Sequence, residues 1–153
     1  MTPTTAPIAE SNRIALGDVL DLAQANLRTL YDNAKQAHWN VQGPTFAGLH
    51  LLFEEVATVA SSERDKLAEL ARYFGAQPNA HRAATIGTIH VYPSGDTCEK
   101  YTRALLGSVS AMIDSLRVIG EPILVLDPVT LNTIISTIEA LRVVAYKLQS
   151  HLP

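Results

Sequence analysis

A chain of 153 residues amounts to one domain and can bury roughly two thirds of its unfolded surface, so neither a disulfide nor a metal is needed merely to fold it. Hydrophobic residues at 47% against 18% charged ones exclude disorder, and a mean hydropathy of +0.10 is apolar enough to suggest buried subunit contacts. A net charge of -3 has the wrong sign for gripping nucleic acid over the whole surface. Cys98 is the only cysteine, which excludes an internal disulfide, fits a packed side chain better than a nucleophile, and suits a reducing, cytoplasmic setting. No apolar run approaches the ~20 residues that cross a bilayer, and the first twelve residues lack a leader's basic region and apolar core, so no membrane association is expected.

Residues 1–12, with Pro3, Pro7 and a single charge at Glu10, are expected to form a flexible tail, and residues 13–153 a single domain. From about Ile14 to Val41, apolar residues at three- and four-residue steps (Leu16, Val19, Ala23, Leu27, Leu30, Ala34, Ala37) predict a first helix. Gly43 breaks it. A second helix is expected from Pro44 to Phe74, closed by Gly75, and the short turn between the two makes them antiparallel. Residues 75–95 carry Pro78, Pro93, Gly87 and Gly95 without sustained periodicity, and about twenty residues of chain reach ~60 Å, enough to cross the length of a bundle. Asp96 with Glu99 is a capping-box pattern that starts a third helix, with Gly120 as its expected end. Asp127–Pro128 starts a fourth, with Leu131, Ile134, Ile138, Leu141, Ala145 and Leu148 on its apolar face. Two short connections and a long crossover between the second and third helices describe an all-α, ferritin-like four-helix bundle.

On the second helix His50, Glu54, Asp65 and Glu69 fall within about 100° of arc, and all four side chains can hold a metal. His38 lies at the same bundle end as His50, across the short turn. Glu54 and Asp65 are eleven residues apart, or ~16 Å along the axis, which no single metal site spans. A second copy related by a two-fold axis, its second helix antiparallel to the first, would bring Asp65 and Glu69 opposite His38, His50 and Glu54. Ala57, Thr58 and Ser61, small residues assigned to the same sector, would permit that approach; the same face could instead pack within its own bundle.

The stretch from His38 to Glu69, HWNVQGPTFAGLH continuing through LFEE to DKLAEL, resembles the signature region of the Dps family, the mini-ferritins. The twelve-residue step from His38 to His50, the acid four residues later, and the Asp65/Glu69 pair carry the resemblance, and DPVTLN and LQSHL extend it through the last helix. It implies a hollow dodecamer that oxidises Fe(II), usually with hydrogen peroxide, at sites between two-fold related chains, and stores the ferric product. It also implies His38, His50 and Glu54 of one chain, with Asp65 and Glu69 of the partner subunit, as iron ligands, and Trp39 beside them in a redox role. Zinc or manganese would fit the same donors. The sequence departs from the family at several positions: Glu54 replaces the commoner aspartate, Leu70 an arginine, Tyr146 a tryptophan, and Asn132 and Ser136 the acids on iron's usual way in. The family's name also implies DNA binding. Residues 1–12 contain no Lys or Arg, however, so DNA binding is not expected here. A DNA-coating nucleoid protein, and a cage holding another metal without ferroxidase activity, are the alternative functions.

Overall fold

The computed structural model describes residues 8–153, which form four helices: α1 (Glu10–Asn40), α2 (Phe46–Tyr73), α3 (Cys98–Leu126) and α4 (Pro128–Ser150). They pack as an all-α four-helix bundle around a core in which Leu20, Leu27, Leu30, Phe53, Leu67, Tyr101, Leu105, Met112, Leu116, Leu141 and Leu148 are inaccessible to solvent. Each such side chain contributes about 1.5–3 kcal/mol by leaving water, and the three- and four-residue steps in the sequence are what align them.

Helix α1 begins within the segment expected to be a tail. Residues 10–12 are helical because Arg13 N–H bonds the Ala9 carbonyl at 3.0 Å, its side chain pairs with Glu10, and Ile8 packs against the core. The remainder of that expected tail, residues 1–7, lies outside the described residues. At the other end, Gly43 turns the chain at φ +137°. A Cβ there would collide with the Asp96 carboxylate and stand 2.9 Å from Cys98 Sγ, so the α1–α2 turn and the start of α3 occupy one end of the bundle. Two bonds lock them: Thr97 N–H donates to the Gln42 carbonyl at 2.8 Å, and Gln42 N–H to Thr97 Oγ1 at 3.0 Å. Helix α2 starts two residues later than Pro44 and ends as expected, with Gly75 at φ +90° and Ala76 N–H reaching back to the Ala71 carbonyl at 3.1 Å.

The segment between α2 and α3 therefore spans the bundle, and α1 supplies the hydrogen bonds its backbone lacks. Asp21 Oδ1 accepts from Asn79 N–H at 2.9 Å, Asn26 Oδ1 from Thr85 N–H at 2.8 Å, and Asn33 Oδ1 from Ile89 N–H at 3.1 Å. Gln24, Asn33 and Gln36 donate in turn to the carbonyls of Asn79, Gly87 and Ile89. Buried amides and a carboxylate thus replace a regular ladder.

Three sequence expectations need correction. The capping box does not form: Thr97 is the N-cap with its hydroxyl turned to Gln42, Asp96 accepts from Cys98 N–H at 3.2 Å, and Glu99 pairs with Arg103. Gly120 does not end α3. It is buried where Leu131 and Ile134 of α4 approach, and the helix runs on through Pro122 to Leu126. Pro122 and Val118 are both exposed, so water can bond the Val118 carbonyl that the proline leaves without a donor. Asp127 alone joins α3 to α4, accepting from Val129 N–H at 3.2 Å and Thr130 Oγ1 at 2.6 Å. Finally, among the described residues one helix, α4, is long and apolar enough to cross a membrane by length and composition alone. In the bundle it buries Ile134, Leu141, Val144 and Leu148 against its neighbours.

Candidate metal centre

Lys35, His38 and Trp39 share one stripe of α1 at i, i+3 and i+4, and His50 and Glu54 meet it from α2. Each imidazole sits against the other's backbone: His38 Nδ1 lies 2.7 Å from the His50 carbonyl oxygen, and His50 Nδ1 lies 2.9 Å from the His38 carbonyl oxygen. A carbonyl oxygen only accepts, so both Nδ1 atoms carry the proton and donate, leaving the lone pair of each neutral ring on Nε2. The rings stack with centroids 3.7 Å apart and planes 20° from parallel, and Phe46 lies 5.0 Å from the His50 ring.

Glu54 supplies the carboxylate. Its Oε2 stands 3.5 Å from His38 Nε2 and accepts from Lys35 Nζ at 2.5 Å. The Lys35 hydrogen bond holds the Glu54 carboxyl below the usual carboxylate range, against partial desolvation and with help from the Lys35 charge. Glu54 is therefore ionised and ready to accept a cation at neutral pH. Imidazole nitrogen and carboxylate oxygen are donors suited to Fe(II), Zn(II) or Mn(II), and His38 Nε2 and Glu54 Oε2 are the pair the fold brings to 3.5 Å, with the His50 ring stacked alongside.

Asp65 and Glu69 do not join this group. They lie three to four turns further along α2, exposed, with Asp65 on a concavity of about 450 Å³ that it shares with Gln24, Ser61, Arg64 and Pro78. Among the described residues no group of three metal-capable side chains lies close enough to hold an ion, so His38, His50 and Glu54 form only a half-site, and the axial separation keeps Asp65 and Glu69 of the same chain away from it. Thr58 and Ser61 are exposed between the two groups, but Ala57 is buried and belongs to the core rather than to the open stripe. Trp39 is 71% exposed beside the half-site, with Lys35 Nζ 5.8 Å from its ring centroid. Sequence reasoning overlooked Lys35. The signal was present, since it precedes His38 by three residues and Trp39 by four on the same face, but a search for metal ligands passes over a lysine.

The family described as a ferritin-like domain matches residues 18–152, nearly the whole bundle. The chain belongs to the ferritin-like family. Within it the chain is a Dps-type mini-ferritin, similar to the DNA protection during starvation protein of Brevibacillus brevis, with 32% identity over 102 residues that cover 65% of this chain and 68% of that protein. The protein of the same description from Halobacterium salinarum is 41% identical over 63 residues, 41% of this chain; the match spans only 35% of that relative's length. Among solved structures, the DPS protein from Vibrio cholerae O1, described as a member of a broad superfamily of ferritin-like diiron-carboxylate proteins, superposes with a TM-score of 0.84 at 24% identity over 98% of this chain and 96% of that one. This last likeness concerns the fold.

Proposed function

We propose that this mini-ferritin oxidises and stores iron, at sites that two chains complete together. His38, His50 and Glu54 of one chain bind Fe(II), and Asp65 and Glu69 of the partner subunit close the site across a two-fold axis. The observation that carries this reading is the reciprocal pair of imidazole–carbonyl bonds, which leaves Nε2 of both rings free to ligate, that of His38 3.5 Å from the Glu54 carboxylate, in a group too small to hold a metal alone. The diiron-carboxylate description of the Vibrio cholerae protein agrees with iron as the substrate.

Two Fe(II) ions give up one electron each to one molecule of hydrogen peroxide, whose O–O bond breaks to give two hydroxides. The added carboxylates favour the ferric product by charge. Trp39, the only tryptophan, serves as a sacrificial electron donor to any radical that escapes this two-electron path. The assembly is a dodecameric cage working in the cytoplasm. It covers exposed apolar side chains such as Val125 and Val129, which are 83% and 76% exposed in the single chain. DNA protection, which the relatives' name states, follows from removing Fe(II) and peroxide together and needs no contact with DNA.

Complementation tests the shared site. His50→Ala and Asp65→Ala should each abolish fast peroxide-driven Fe(II) oxidation, whereas subunits of the two variants dissociated and reassembled together should regain a minority of the wild-type rate. A dimer with one of each retains one intact His50 facing one intact Asp65. No recovery in assemblies shown by native mass to be mixed would refute a site built from two chains.

A further inference from the structure

Lys35 places a cation on the oxygen that a metal ion would need. Its Nζ lies 2.5 Å from Glu54 Oε2, the same oxygen that stands 3.5 Å from His38 Nε2, and its side chain is only 16% exposed. A divalent ion bound between His38 and Glu54 meets an ammonium already in contact with its carboxylate. Two cations on one oxygen repel strongly where water is partly excluded, so the lysine has to leave as the metal arrives. A second resting place is at hand: Nζ already lies 5.8 Å from the centroid of the Trp39 ring, whose π face attracts an ammonium at that range and is open to solvent.

We propose that Lys35 is a displaceable resident cation of the half-site, whose ammonium holds Glu54 in its ligating position and moves to the face of Trp39 when a divalent metal binds. This rests on the metal-binding role of His38, His50 and Glu54 proposed above. Before metal arrives, the carboxylate is held beside His38 rather than sweeping through solvent. A monovalent cation gains little by exchanging with an ammonium of equal charge, whereas a divalent ion gains twice the attraction to the carboxylate and two imidazole bonds. Lys35 thus makes the half-site selective for dications while weakening its grip on them.

The experiment uses Zn(II), a closed-shell ion, titrated calorimetrically into the assembled full-length protein and its Lys35→Gln, Lys35→Met and Lys35→Arg variants, with the emission of Trp39 recorded in parallel. Removing a charge-assisted bond that competes with the metal should tighten Zn(II) binding about tenfold in the Gln and Met variants, with Arg retaining the weaker wild-type affinity. Wild-type emission should change on Zn(II) binding, and the Gln and Met variants should show little change, because no ammonium moves. Equal or weaker binding by the Gln and Met variants overturns the proposal. So does Zn(II) binding to the wild type with no change at Trp39, an outcome that decides even if a variant fails to assemble. Absence of Zn(II) binding in every form would instead overturn the metal site itself.

Discussion

Gly43 turns the chain at φ +137°, a conformation that L side chains rarely adopt, and a methyl group there would push the Asp96 carboxylate off Cys98 N–H and crowd Cys98 Sγ at 2.9 Å. Gly43→Ala should therefore lower stability by about 1–3 kcal/mol or more in denaturant titrations. The control is Gly107→Ala, inside α3 with nothing within 4 Å of the added carbon, which should gain up to about 1 kcal/mol from helix propensity. Comparable effects from the two substitutions would show that the close approach of turn and helix is absent. The functional residues are ordinary by comparison: His38 and His50 need no strained backbone, only helices brought within reach, and the same turn provides that.

Helix α1 does two jobs. One face carries Lys35, His38 and Trp39 toward the half-site, and another carries Asp21, Asn26 and Asn33 toward the crossover. Asp21 is the ionisable member of that row. Burial tends to raise its pKa, but the Arg82 hydrogen bond, donation from Gln24 and Asn79 N–H, and the Arg82 charge together hold it below the usual carboxylate value. A folded-state pKa below the unfolded one means the stabilisation is complete above the unfolded value and disappears as pH falls through the folded one. Asp21→Asn should accordingly cost about 1–3 kcal/mol near pH 7, with the gap in Tm from wild type closing below about pH 4. A gap that persists unchanged into acid would mean that shape, not charge, holds residues 79–82 to α1. Arg82 keeps Asp18 as a second partner at 2.8 Å, so the variant should fold.

At the scale of the whole molecule, charge decides what the assembly meets. Each chain carries -3, and an oligomer multiplies that charge, so it should not retard plasmid DNA at moderate salt in the absence of bridging divalent cations. Introducing Thr2→Lys, Thr4→Lys and Thr5→Lys together should produce retardation that disappears as salt rises, with Fe(II) oxidation unchanged because these positions supply none of the five proposed ligands. Strong retardation by the unmodified protein would point to a basic patch on the folded surface, for which Arg64, Lys66 and Arg72 of α2 are the candidates.

The four helices, the long crossover, and the approach of His38 and Glu54 to His50 were legible in the sequence because they depend on local spacing: apolar steps align a core face, and a short turn makes the ends of two helices neighbours. Contacts between segments far apart in the chain were not. Gly120 reads locally as a stop, yet α3 continues because α4 packs against that glycine. Ala57 shares a helical sector with Glu54, yet core packing buries it while Glu54 remains half-exposed. The Lys35–Glu54 pair joins two helices at a distance that spacing along either one cannot set. Periodicity along a chain determines which residues share a face; only the packing of one face on another determines which charges meet.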